Sequence, residues 1–441
     1  MSSFARVLLA AGAGAALVTG TAAAQLLPSL PSLSLPPVAN VPVAGPLIEQ
    51  VLRDPQAQQA IRPTLDSVAG LPQQIAESGG SSLLELRRLR LRQLIREHST
   101  LLEADNQGQP VRKGVLVAAT PDAGSLRSAA IAGFRVIATE PNTELGLTTV
   151  YLAVPRGIST RKAMQLVRRT APGMEVDFDH VLEPAGGALL PFAGALAAGN
   201  AAAGGVRIGL VDGGVASHPS MAGASIDQHG FSGKLQATGH GTAVASLIVG
   251  NQGPFSGAAR GASLFVADVY GGNRASGSAS AVVRALNWLA GKRTAVINIS
   301  LVGPPNRLLA RAIQSVRSHG IQVVAAVGND GPAAPPQYPA SYPGVVAVTG
   351  VDARGRAIPE AGKASHLDFA APGADMAAAL PDSGYAKVRG TSFAVPLVAS
   401  RLALSGSLQR LAQEARPGRG RVGRGIVCGP CRVDPKAVRA K

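Results

Sequence analysis

The chain is poor in the residues that usually advertise a ligand. Of its 441 residues only 3% are aromatic and 15% charged, and it holds 2 Cys, 1 Trp and 7 His. So few aromatics argue against a surface that stacks nucleic-acid bases. Two cysteines with no second pair cannot complete a thiolate zinc site. Acidic residues are scarce as well, 26 against 42 Lys and Arg, which leaves a net charge of +16 with Arg-rich segments near 87–96 and 416–424. A basic balance can draw nucleic acid or anionic membrane, but without interleaved aromatics it reads as solvated charge, and no nucleic-acid partner is expected. His98, His180, His229, His319 and His366 show no metal-ligand spacing, so no metal is assigned.

Apolar runs of membrane-spanning length are also missing. Residues 7–20 are too short to cross a bilayer. The uncharged stretch from Pro184 to Val206 is long enough, but Pro191, Asn200 and many glycines make it a flexible connector. No stable membrane span is expected in the mature chain.

What is present is a globular composition: 46% hydrophobic residues, a mean hydropathy of +0.19, 53 Gly and 32 Pro. That fits two or three domains with many turns. Residues 1–24 read as an export signal, with Arg6 as the basic start, an apolar middle, and Ala22-Ala23-Ala24 before Gln25 as the cleavage site. Export to the periplasm or out of the cell follows. Residues 25–111 are a Pro/Ala-rich spacer, with a short helix around 47–62 and an amphipathic Leu/Arg helix over 81–103. That helix either docks on another domain or lies on an anionic membrane surface.

Over 112–184 the rhythm becomes α+β. Strands are expected at Lys113–Ala119, Arg135–Thr139, Thr148–Val154 and Met174–Leu182, with helices at Asp122–Phe134 and Thr160–Thr170. A β-α-β-β-α-β order is the split, ferredoxin-like arrangement. Residues 185–203 are an Ala/Gly-rich linker. Over 204–433, apolar runs at Val206–Val211, Ser263–Val269, Ala295–Leu301, Gln322–Val327 and Val345–Thr349 alternate with helical patterns at Gly241–Val249, Ser278–Ala290, Arg307–His319 and Thr391–Leu404. Continuous apolar strands between helices imply a doubly wound, mostly parallel sheet covered on both faces, with functional groups at the carboxyl ends of its strands. A strand-like Gly425–Val427 ends the domain, and 434–441 is a basic tail.

Four polar residues fall at such strand ends or at helix starts. Asp212 follows V-R-I-G-L-V, His240 lies in G-H-G-T-A-V-A-S, Asn329 in A-A-V-G-N-D-G and Ser392 in G-T-S-F-A-V-P. Each alone has a plain structural reading: a turn aspartate, a satisfied histidine, a helix cap. Together they supply a nucleophile that is weak without a base, the base, a carboxylate to hold its tautomer, and an amide N–H for a developing oxyanion.

V-D-G-G-V-A-S-H-P, G-H-G-T-A-V-A-S, A-V-G-N-D-G and G-T-S-F-A-V-P resemble the successive motifs of the subtilisin-like serine peptidases over about residues 204–433. The resemblance implies a catalytic triad of Asp212, His240 and Ser392, with Asn329 in the oxyanion hole. It also implies a cleft that binds peptide as an added strand, with Ser300, Leu301, Val302 and Gly303 as one wall of the primary pocket and Ala326, Val327 and Gly328 as the other. Protein or peptide substrates are the partners, and no cofactor is expected; structural calcium is possible in such a fold but not indicated. Residues 112–184 look like the family's inhibitory propeptide, so the chain's own N-terminal region would act as intramolecular inhibitor or chaperone of a zymogen.

Gly213 departs from the family pattern, which has Ser or Thr there; one hydroxyl fewer beside Asp212 is expected to loosen that carboxylate and slow the reaction. A catalytically weak or inactive binding protein of this fold is therefore the alternative. His218 matches a family His-Pro position near the surface and is not the base. Cys428-Gly429-Pro430-Cys431, in a Gly/Arg/Pro-rich tail, is expected to close a local disulfide rather than to act as a thioredoxin-type redox site.

Overall fold

The computed structural model describes residues 80–186, 188–192, 205–381 and 384–438. The export signal, the spacer with its short helix, and most of the linker lie outside the described residues. Among those described, no helix is long and apolar enough to cross a membrane.

The first element is helix α1 (Gly80–Glu97). Leu83, Arg87, Leu91 and Leu94 recur at helical spacing and are buried, while Arg88, Arg92 and Arg96 face solvent. The buried stripe docks on the rest of the chain, through Leu94 against Leu102, Val181 and Ala275. The helix ends earlier than its sequence pattern suggests, because a short strand β1 (Leu102–Ala104) follows.

An α+β domain comes next: β2 (Pro110–Ala119), α2 (Ala123–Ile131), β3 (Arg135–Asn142), β4 (Leu147–Ala153), α3 (Thr160–Thr170) and β5 (Val176–His180). Asp122 caps α2, accepting from the Ser125 N–H at 2.9 Å, and Ser159 caps α3. The antiparallel order β5-β2-β4-β3 is the expected ferredoxin-like one. Strand alternation sends the two faces of β2 to different cores. Leu116 and Ala118 join Met164 and Val167 of α3, whereas Val117 and Ala119 turn toward the larger domain.

Between the domains the chain forms β6 (Glu183–Pro184) and β7 (Ala188–Phe192). Then follow β8 (Arg207–Asp212), β9 (Ser225–Gly230), α4 (Gly239–Val249), β10 (Ser263–Asp268), α5 (Ala279–Gly291), β11 (Val296–Ile299), β12 (Leu301–Val302), α6 (Arg307–Ser318), β13 (Gln322–Ala326), β14 (Val346–Val351), β15 (Phe369–Pro372), β16 (Ala374–Ala379), β17 (Tyr385–Arg389), α7 (Val395–Ser405) and α8 (Leu408–Glu414). Seven of these strands make one parallel sheet in the order β15-β14-β13-β11-β8-β10-β9. Alternate residues again feed two cores. Ile208, Leu210, Val324 and Ala326 pack with α4 and α7, and Val211, Ala267, Val323 and Ala325 pack with α5 and α6. Burial on both faces is why these strands read as unbroken apolar runs.

The open face of the smaller sheet lies on α5 and α6, where Val117, Leu145 and Tyr151 enter their core. Two β5 carboxylates cap those helices. Asp179, fully buried, accepts from the Ser280 N–H at 2.9 Å and its hydroxyl at 2.8 Å, and Asp177 accepts from the Arg307 N–H at 2.8 Å. Unpaired N–H groups and the positive dipole end favour anions there.

Three sequence expectations change. The connector after Pro184 is not featureless: β7 pairs antiparallel with β17, just after β6 has paired antiparallel with β12. Gly425–Val427 contributes isolated bridges from Ile426 to Ala370 and Arg416 rather than a strand. The chain after 433 does not leave the fold, because Val433 and Val438 pack with Phe255, Ala377 and Tyr385. Cys428 and Cys431 are disulfide-bonded.

Asp179→Ala should remove a charge-assisted cap and weaken the joint between the two domains. Denaturant unfolding of the full chain should show a loss of about 2 kcal/mol; an unchanged midpoint would refute this role.

Candidate active site

The carboxyl end of β8 delivers Asp212, which is 1% exposed. Its Oδ1 accepts from the Gly213 N–H at 2.7 Å, and both oxygens lie 2.9 Å from Nδ1 of His240. A carboxylate on Nδ1 keeps the proton there and leaves the Nε2 lone pair available to act as a base. His240 stands in the first turn of α4, whose N-cap is Thr238. The glycine after it is required by space: a Cβ on Gly241 would sit 2.3 Å from the Gly213 carbonyl oxygen.

Ser392 lies in a tight turn, Thr391–Phe393, just ahead of α7. Gly390 enters that turn at φ 142°, a left-handed value that favours glycine. The turn packs against α4, and the Phe393 and His240 rings have centroids 5.5 Å apart. Ser392 Oγ and His240 Nε2 are both buried without hydrogen-bond partners. Buried polar atoms of this kind are costly and cluster where chemistry uses them.

Asn329 follows β13. Its Oδ1 accepts from the Thr391 N–H at 2.9 Å, which fixes the amide and turns Nδ2 toward the carbonyl oxygens of Ala185 and Gly186. Those carbonyls belong to a segment laid through the cleft as an extra strand. Val181 bridges Ser278, and the Leu182 N–H donates to Gly277 at 2.8 Å. Glu183 and Pro184 pair with Val302 and Leu301, and the Ala185 N–H donates to the Ser300 carbonyl at 2.7 Å. The Tyr270 hydroxyl donates to the Leu182 carbonyl at 3.1 Å. Burial, helped by the Asp212 charge, pushes the Tyr270 phenol well above its ordinary pKa and keeps it a donor.

Of the expected pocket walls, Ser300, Leu301 and Val302 thus meet this segment through backbone, and Gly303 faces the Leu182 side chain. Ser300 Oγ also donates to the Ser392 carbonyl at 3.0 Å. Ala326 and Val327 spend their side chains in the two cores. Gly328 lies against Val302 and Gln337. His218 is a correction: it is 2% exposed rather than near the surface, bonded to Ser220 and to the Gly384 carbonyl. Among the described residues no group of three or more His, Cys, Asp or Glu converges as a metal site.

Several contributors carried no sequence signal. Asp330, next to Asn329, bonds Arg87 at 3.0 Å and Arg90 at 3.0 Å from α1. Arg90 also reaches Glu183 at 3.3 Å, and these two carboxylates outweigh burial to raise its pKa above the ordinary value. Thr238 explains Gly213. A Cβ at 213 would meet Thr238 Oγ1 at 2.4 Å and Cγ2 at 2.5 Å, so the space for the family's hydroxyl is already filled from α4. Without that hydroxyl, Asp212 has its backbone donor and both contacts to His240.

Restoring the family residue with Gly213→Ser should therefore cost about 1–3 kcal/mol by overpacking. Gly213→Ser combined with Thr238→Gly should recover most of that loss, since glycine is a tolerable N-cap. Thermal unfolding decides it: a single variant as stable as the parent would contradict the explanation.

The profile of the Subtilase family matches residues 203–415. Subtilisin Savinase of Lederbergia lenta is 36% identical over 206 residues, 45% of this chain and 76% of that protein. An alkaline protease of Shouchella clausii is also 36% identical, and the match spans 45% of this chain and 53% of that protein. Among solved structures, fervidolysin of Fervidobacterium pennivorans superposes with a TM-score of 0.59 at 19% identity, over 75% of this chain and 62% of that one. The epidermin leader peptide processing protease of Staphylococcus aureus gives 0.55 at 16% identity, over 72% and 97%. Both structural likenesses speak to the fold. This chain belongs to the subtilase family of serine endopeptidases.

Proposed function

We propose that the protein is made as an exported zymogen that cuts protein or peptide substrates through Asp212, His240 and Ser392, and that its first substrate is its own Ala185–Gly186 bond. The observation that carries this reading is the register of the cleft strand. Ala185 has its N–H on the Ser300 carbonyl and its own carbonyl at the Asn329 amide, where a scissile carbonyl would need an oxyanion donor.

In this mechanism Ser392 Oγ attacks the Ala185 carbonyl carbon while His240 Nε2 takes the hydroxyl proton. Asn329 Nδ2 and the Ser392 N–H hold the oxyanion. The bond to Gly186 nitrogen breaks as His240 returns the proton to the leaving amine, giving an acyl-enzyme. Water, deprotonated by His240, then releases the Ala185 carboxylate and restores Ser392. Asp212 holds the imidazole and stabilises its protonated form throughout.

The N-terminal region would stay bound as inhibitor after the cut until it dissociates or is digested. The β6–β12 pairing, the buried caps from Asp177 and Asp179, and the Arg87/Arg90 contacts to Asp330 all keep it over the cleft. Arg6 and the Ala22-Ala23-Ala24 start support export to the periplasm or beyond.

N-terminal sequencing of the protein and of Ser392→Ala, expressed side by side, tests the reading. The parent should yield a new terminus beginning at Gly186, and the variant should stay joined at that bond. Cleavage of the variant at the same place, or a parent left intact there, would refute it.

A further inference from the structure

We infer that Arg274 gives the processed enzyme a preference for an acidic residue at the third position before the cut. This rests on the proposed cleavage reading, in which Ala185 supplies the scissile carbonyl, Pro184 comes before it and Glu183 is third. Glu183 is 5% exposed, and its carboxylate meets two cations: Arg90 Nε at 3.3 Å and Arg274 Nη2 at 3.5 Å. The two differ in what happens to them on processing. Arg90 lies before the cut and departs with the N-terminal region, whereas Arg274 lies in the peptidase domain and stays.

Arg274 is also placed by the rim that pairs with the substrate strand. It begins a short turn, Arg274–Ser276, whose N-cap Asn273 accepts from the Ala275 N–H at 3.0 Å. Gly277 and Ser278 follow at once and pair with Leu182 and Val181. A peptide that pairs with this rim in the same register brings its third side chain to the Arg274 guanidinium. A carboxylate there gains a charge-assisted contact, and an ammonium group meets a like charge. Because 46% of the Arg274 side chain is exposed, the effect has the size of a surface ion pair and is screened by salt.

The test uses acetyl-Leu-Glu-Pro-Ala-p-nitroanilide, which copies Leu182–Ala185, and its Gln and Lys counterparts at the second residue, with enzyme processed from the full chain and freed of its N-terminal region. The expected kcat/KM is about two- to fivefold higher for Glu than for Gln at low ionic strength, the span of an exposed ion pair, and the gap closes as salt is added. Lys falls below Gln. Arg274→Lys keeps the preference, and Arg274→Glu inverts the Glu-to-Lys ratio. If all three peptides are cut but their ratios are the same in the parent and in Arg274→Glu, the inference is overturned while the peptidase reading stands. If none is cut, both fall.

Discussion

A parallel sheet buried on both faces has one place to put polar chemistry, the edge where its strands end, and this protein is arranged around that restriction. β8 ends in Asp212 and β13 leads to Asn329, while α4 and the turn before α7 bring His240 and Ser392 to the same edge. Apolar side chains fill both cores so completely that the polar groups at this edge must satisfy one another or meet substrate. Asp212 and His240 do the first. Ser392 Oγ and His240 Nε2, buried without partners, are poised for the second.

The same edge dictates how a peptide can enter. Backbone groups of Gly277, Ser278 and Ser300–Val302 face outward from two rims, and an extended segment bonds both at once. The chain's own residues 181–185 do so here. Strand pairing of this kind supplies affinity without regard to side chains. Past the backbone, Arg274 is the group of the larger domain that meets a side chain of this segment through an ion pair, at Glu183.

Much of the fold was legible because its signals are local. Val323–Ala326 reads as a buried strand from apolar residues alone, and G-H-G-T and G-T-S-F-A-V-P carry glycines and small residues that a crowded helix start demands. What was not legible depends on partners far away in the chain. Residues 188–192 look like connector until β17, nearly two hundred positions later, supplies their hydrogen bonds. Gly213 looks like a missing hydroxyl until Thr238 is seen to fill its space. His218 reads as a surface residue, yet the Gly384 carbonyl and the Tyr385 ring enclose it. No window of sequence around Asp330 points to two arginines in a helix some 240 residues earlier.

The central claim is that Ser392 is a nucleophile activated by His240. It is tested most directly by labelling the processed protein, freed of its N-terminal region, with a fluorophosphonate, which reacts covalently with an activated serine, followed by peptide mapping. The account predicts one modified residue, Ser392, and loss of labelling in His240→Ala. Absence of labelling in the processed parent, or equal labelling of the Ser392→Ala chain, would contradict it.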